Sequence, residues 1–86
     1  MDMNRTILDA LLGALLLKED DLGADDRVTF YADGTAELEQ NGRTMRFGEQ
    51  QAIRDEMKSM GLTSLLIKRR GQRLSAYVAG RPVWNS

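Results

Sequence analysis

Hydrophobic and polar residues alternate along residues 27–48, RVTFYADGTAELEQNGRTMRFG, in three short runs separated by Asp33-Gly34 and Asn41-Gly42. A period of two marks strands buried on one face, and Asx-Gly pairs supply the positive-φ residues of tight hairpin turns. The stretch predicts a three-strand antiparallel meander. With Asn41-Gly42 as a two-residue loop, Gln40 pairs with Arg43, Leu38 with Met45 and Ala36 with Phe47, while Glu37 faces Arg46 on the other side. The same loop length at Asp33-Gly34 would mix the two faces. A three-residue loop, Ala32-Asp33-Gly34, restores the sorting and pairs Phe30 with Ala36 and Val28 with Leu38. The predicted core face is Val28, Phe30, Ala36, Leu38, Met45 and Phe47; the outer face is Thr29, Tyr31, Glu37, Glu39, Thr44 and Arg46.

Upstream the period changes. Ile7, Leu8, Leu11, Leu12, Leu15 and Leu16 recur at helical spacing, which predicts a helix from the N-cap Asn4 to about Lys18 with an apolar stripe close to half its circumference. Such a stripe suits a helix packed between a sheet and a second helix; Ala10, Gly13 and Leu17 offer a small-residue face to a second copy of the chain. Glu19–Asp26, EDDLGADD, reads as a solvated acidic connector whose spacing is not that of a calcium loop. After Gly48, a second helix is expected over Glu49–Met60 with Ala52, Ile53, Met57 and Met60 on one face, ended by Gly61 as the C′ residue with Leu62 as its apolar contact.

Alternation returns from Leu62 as TSLLIKRR, RLSAYV and PVWN, with turns at Gly71-Gln72 and around Ala79-Gly80-Arg81. A two-residue first loop sets Ile67 against Ala76 and Leu65 against Val78 on the core face, leaving Leu66, Lys68 and Tyr77 outside. Whether the last loop is Ala79-Gly80 or Gly80-Arg81, the alternation puts Val83 inside and Trp84 outside, so Leu66, Tyr77 and Trp84 form an outward apolar patch, whereas a three-residue loop would turn Trp84 inward. Pro82 has no N–H to give a ladder and marks the last strand as an edge. The halves resemble one another at an offset of 38, where Gly23, Gly42 and Arg43 fall on Gly61, Gly80 and Arg81. The expected fold is α+β, one domain over residues 1–86: two helices on one face of an antiparallel meander sheet, order α-βββ-α-βββ, with an αβββ pseudo-repeat.

Composition narrows the function. With no Cys and no His among 86 residues, disulfides, thiolate or imidazole metal sites and histidine acid–base catalysis are all excluded. No nucleophile–base pair, phosphate-cradling glycine loop or dinucleotide fingerprint is present, so no enzyme, cofactor or metal is expected. The longest apolar run, Leu11–Leu17, is too short to span a bilayer and has no signal-peptide flanks, which makes the cytoplasm the expected location. A net charge of −1 conceals an asymmetry. Residues 1–40 hold ten acids against three bases and residues 41–86 nine bases against three acids, so −7 faces +6.

These features point to a small protein-binding module, an adaptor, chaperone or inhibitor that occludes a surface of a larger bacterial or phage assembly. Leu66, Tyr77 and Trp84 would be its anchors, ringed by Lys68, Arg69, Arg70 and Arg73, and its partner is another protein or a second copy of itself. The alternative is a nucleic-acid binder that uses the same basic hairpin tip, residues 68–73. The opening order of helix, three strands and helix is similar to that of double-stranded RNA-binding domains, but Phe47-Gly48-Glu49-Gln50-Gln51 holds no lysine where those domains clamp phosphate.

Overall fold

The computed structural model describes residues 3–86. Helix α1 (Arg5–Ala14) is followed by a 3₁₀ turn at Glu19–Asp21, strands β1 (Arg27–Tyr31), β2 (Ala36–Gln40) and β3 (Arg43–Phe47), helix α2 (Gln51–Met60), and strands β4 (Ser64–Arg70), β5 (Arg73–Val78) and β6 (Arg81–Asn85). All six strands form one antiparallel sheet in the order β3-β2-β1-β4-β5-β6, so the two meanders abut through their first strands. The α-βββ-α-βββ order and the single antiparallel sheet are as the sequence predicts.

The first meander has the expected register throughout, including Phe30 opposite Ala36, Leu38 opposite Met45 and Glu37 opposite Arg46. Gly34 carries the positive φ (92°) required of the three-residue loop, and its backbone lies against Gln50, whose N–H donates to the Gly34 carbonyl at 2.9 Å. That bond ties the first turn to the start of α2. Ile67 faces Ala76, again as predicted.

Both helices pack on the same side of the sheet and on each other. Leu8, Leu11, Leu12 and Leu15 of the first helical segment and Ile53, Met57 and Met60 of the second share one buried cluster with Val28, Phe30, Ala36, Leu38, Leu65, Ile67, Leu74 and Ala76. Asn4 caps α1 as expected, accepting from the Ile7 N–H at 2.9 Å. The helix then stops about a turn before Lys18. Leu16 takes a left-handed conformation (φ 60°), its N–H donating to the Gly13 carbonyl and that of Leu17 to the Leu12 carbonyl, both at 2.9 Å. Leu16 is thereby turned out of the apolar stripe and is 93% exposed, whereas Leu17 folds back on the core. Helix α2 ends in the same motif, with Gly61 (φ 69°) donating to Lys58 and Leu62 to Met57.

Three further placements depart from the sequence reading. Met45 has the predicted register but is 58% exposed, because the helices cover the centre of the sheet and stop short of its β3 edge. Ala52 is exposed. In β6 the pairing slips by one residue between Ala76 and Tyr77, so Tyr77 faces Pro82 but Ala76 faces Trp84. The bulge reverses the alternation: Val83 is exposed and Trp84 packs against the core cluster.

The repeat is real in the backbone and differs from the single offset of 38. By the faces of the strands, Val28 corresponds to Leu65, 37 residues on, and Ala36 to Leu74 and Arg43 to Arg81, 38 on. The helix ends correspond at 45: Leu12 with Met57, Leu16 with Gly61, Leu17 with Leu62. The eight-residue difference between helices and first strands matches the length of Glu19–Asp26, so the acidic stretch is an insertion into the first unit, and Gly23 has no counterpart in the second. No described helix is long and apolar enough to cross a membrane.

Candidate docking surface

With both helices on one side, the other side of the sheet has no covering layer. Along β4 and β5 it presents Leu66 beside Tyr77 as a cross-strand pair, with Lys68 and Arg70 following on β4 and Arg73 opposite Arg70 at the hairpin end. The Lys68 ammonium lies 4.9 Å from the centre of the Tyr77 ring, and Arg70 Nη1 donates to the Tyr77 hydroxyl at 3.2 Å. With these two cations against it Tyr77 is only 9% exposed, and Ser75, its neighbour on the same face, is buried as well. Burial alone would raise the Tyr77 phenol pKa. Its hydrogen bonds with Arg70 and Ser75 and the charges of Arg70 and Lys68 outweigh burial and hold it below the usual phenol range.

The face is electrostatically divided. Over the first meander its charges meet across strands, Arg27 with Glu39 at 3.9 Å and Arg46 with Glu37 at 3.8 Å. Over the second, no carboxylate of the described residues lies within ion-pairing distance of Lys68, Arg70 or Arg73. Two exposed arginines directly opposite one another at a hairpin end repel, and no carboxylate of the described residues forms an ion pair with either. The result is a partly exposed Leu66 and a shielded Tyr77 bordered by uncompensated positive charge.

Two residues assigned to this surface from sequence are elsewhere. Trp84 is on the helix side of the sheet because of the β6 bulge, so the outward apolar patch is Leu66 and Tyr77 without it. Arg69 alternates to the helix side as well, opposite buried Leu74, and there it holds the acidic insertion: Nε donates to the Leu22 carbonyl at 2.5 Å and Nη2 to the Glu19 carbonyl at 2.6 Å. The insertion is accordingly an ordered structure and no mere solvated connector. Leu22 is buried in the core, Arg5 bridges to Glu19 at 2.9 Å, and Asp26 accepts from Gln40 at 2.9 Å. A cleft of about 320 Å³ between the insertion and the hairpin is lined by Asp25, Asp26, Arg27, Lys68 and Arg70 among others, while among the described residues the ion pair that joins the acidic half of the chain to the basic half is Glu37 with Arg46.

Conversely, the structure adds residues that the sequence reading left out. Strand β1 pairs with β4, bringing Arg27 beside Lys68 and Thr29 beside Leu66 on the outer face. No turn joins these strands, so no local signal announces their adjacency. Among the described residues no group of acids, His or Cys is arranged to hold a metal ion. Searches of family models, curated proteins and solved structures find no match to this chain.

Proposed function

We propose that the chain is a non-enzymatic protein-binding module that occludes the surface of a larger partner with the open face of its sheet. The observation that carries this reading is the partly exposed Leu66, paired across strands with the shielded Tyr77 and bordered by Lys68, Arg70 and Arg73, cations with no carboxylate of the described residues within ion-pairing distance. The chemistry fits a protein that offers an apolar spot with an acidic rim. Burying Leu66 supplies the anchor, and the cations supply orientation and encounter rate.

The nucleic-acid alternative uses the same cations and is less well supported. Single-strand binding needs aromatic rings free to stack on bases, and the Tyr77 ring lies beneath Lys68 with its hydroxyl held by Arg70. Arg69 is occupied by backbone carbonyls. The test is a nuclease-treated capture from lysate of the source organism, repeated with Leu66→Glu and Arg70→Glu chains whose thermal unfolding matches wild type. A protein recovered by wild type and lost by Leu66→Glu supports the reading. Binding to oligonucleotides that weakens between 50 and 200 mM salt about 40-fold for a duplex or about 20-fold for a single strand, as three phosphate contacts would require, and that survives Leu66→Glu but not Arg70→Glu, would replace it.

A further inference from the structure

The two edges of the sheet are built differently. Strand β6 is blunted twice: by Pro82, which has no N–H, and by the slipped register at Val83. Strand β3 has neither device. It pairs with β2 without interruption over all five residues, contains no proline, and is exposed at every position except Phe47. The repeat makes the contrast direct, since Thr44 stands in β3 where Pro82 stands in β6.

The direction of the free hydrogen-bonding groups follows from the turn. Asn41 and Gly42 have φ of 52° and 76°, a two-residue turn closed by the Gln40–Arg43 pair. In such a hairpin the closing pair exchanges hydrogen bonds, so Arg43, Met45 and Phe47 direct their N–H and C=O groups at β2. Those of Thr44 and Arg46 point away from the sheet. Beside them, a groove of about 590 Å³ is lined by Leu38, Gln40, Asn41, Arg43, Thr44 and Met45, on the helix side of the sheet where the helical layer stops short of the β3 edge.

We propose that β3 is the docking edge for a second copy of this chain, joined antiparallel to the same strand of that copy about a two-fold axis through Met45. In this register Thr44 opposes the second copy's Arg46 and the reverse, and each pair exchanges two backbone hydrogen bonds. Met45 meets its own counterpart, and Arg43 lies over the second copy's Phe47. All five residues of the strand are paired, no like charges are opposed, and the exposed Met45 is covered. Moving the axis to Arg46 sets arginine against arginine; moving it to Thr44 leaves Phe47 unpaired. A shift by one residue would mix the faces, setting apolar positions against polar ones. The self-complementarity of RTMRF is what favours a second copy over an unrelated extended peptide. The axis is perpendicular to the sheet, so the six strands of each copy continue into the other with all helices on one side.

The experiment is sedimentation equilibrium from micromolar to millimolar chain, together with cysteine trapping in a protein that has no cysteine of its own. Wild type is expected to reach twice its 9.7 kDa monomer mass. Thr44→Pro, which copies Pro82, should weaken the dimer at least about 30-fold by removing two hydrogen bonds per dimer. Met45→Cys should oxidise rapidly to a linked dimer, because a non-hydrogen-bonded antiparallel pair places its Cα atoms at a separation suited to a disulfide. Val83→Cys on the other edge should not. A wild-type chain that stays monomeric throughout, or Met45→Cys linking no faster than Val83→Cys, overturns the proposal. So does a dimer that persists in Thr44→Pro without linking through residue 45, or a monomer that takes up only heterologous extended peptides at this edge.

Discussion

Leu16 and Gly61 occupy the same position of the same helix-ending motif, and only one of them suits it. Both are left-handed, with φ of 60° and 69°. The left-handed conformation costs a non-glycine residue about 1–2 kcal/mol through crowding of Cβ. Leu16 recovers little of this by packing, since its side chain is 93% exposed. Leu16→Gly removes the penalty but gives the unfolded chain more freedom, which returns about 0.4–1 kcal/mol. The net expectation is stabilisation of about 1 kcal/mol, or a rise in Tm of about 4–8 °C in a domain of this size. Urea unfolding followed by the fluorescence of Trp84, the only tryptophan, and independently by far-UV circular dichroism, measures the change. The reciprocal Gly61→Leu should lower stability by about the same amount. A Leu16→Gly chain no more stable than wild type would refute the conclusion that position 16 contributes a backbone penalty and no compensating contact.

Arg69→Ala should destabilise by about 2–3 kcal/mol in urea unfolding, because it strips charged donors from the partly buried Leu22 and Glu19 carbonyls; Arg69→Lys, lacking the two-pronged donor, should recover only a fraction. Hydrogen exchange would then rise first in residues 19–26. Gly34→Ala should cost about 2–4 kcal/mol, since its Cβ would lie 2.7 Å from the Gln50 carbonyl oxygen at a φ of 92°, whereas Gly71→Ala, which meets open space, should cost only about 1 kcal/mol. The Asp33 carboxyl titrates below its usual range because the Thr35 hydroxyl and N–H donate to it at 2.6 and 2.9 Å. A depressed folded-state pKa stabilises above the unfolded value and is lost as pH falls from about 4 through the folded value. Thr35→Ala should therefore move the Asp33 titration, followed by carboxyl carbon NMR, back towards the ordinary range.

The first meander was legible residue by residue because two independent signals, turn composition and the sorting of faces, have only one common solution there. The same logic failed in β6. Alternation assumes regular pairing, and nothing in RPVWN announces that the strand slips after Pro82, so Val83 and Trp84 exchanged sides. Met45 shows a different limit, for its register was readable while the extent of the helical layer above it was not. Arg69 looked like its neighbours in a basic run. Its separate role arises from parity within the strand combined with an insertion 47 residues upstream, a contact that depends on β1 and β4 being neighbours. The helical periodicity continued through Leu16, where the backbone had already turned.

The unequal ends of the sheet decide how far association can proceed. A protein with two receptive borders adds molecules without limit and becomes a filament, because each arrival offers the next a fresh place to attach. Here Pro82 and the slip at Val83 seal one border. Once the other is occupied by a twin, nothing remains to recruit a third molecule, and growth terminates at a closed pair.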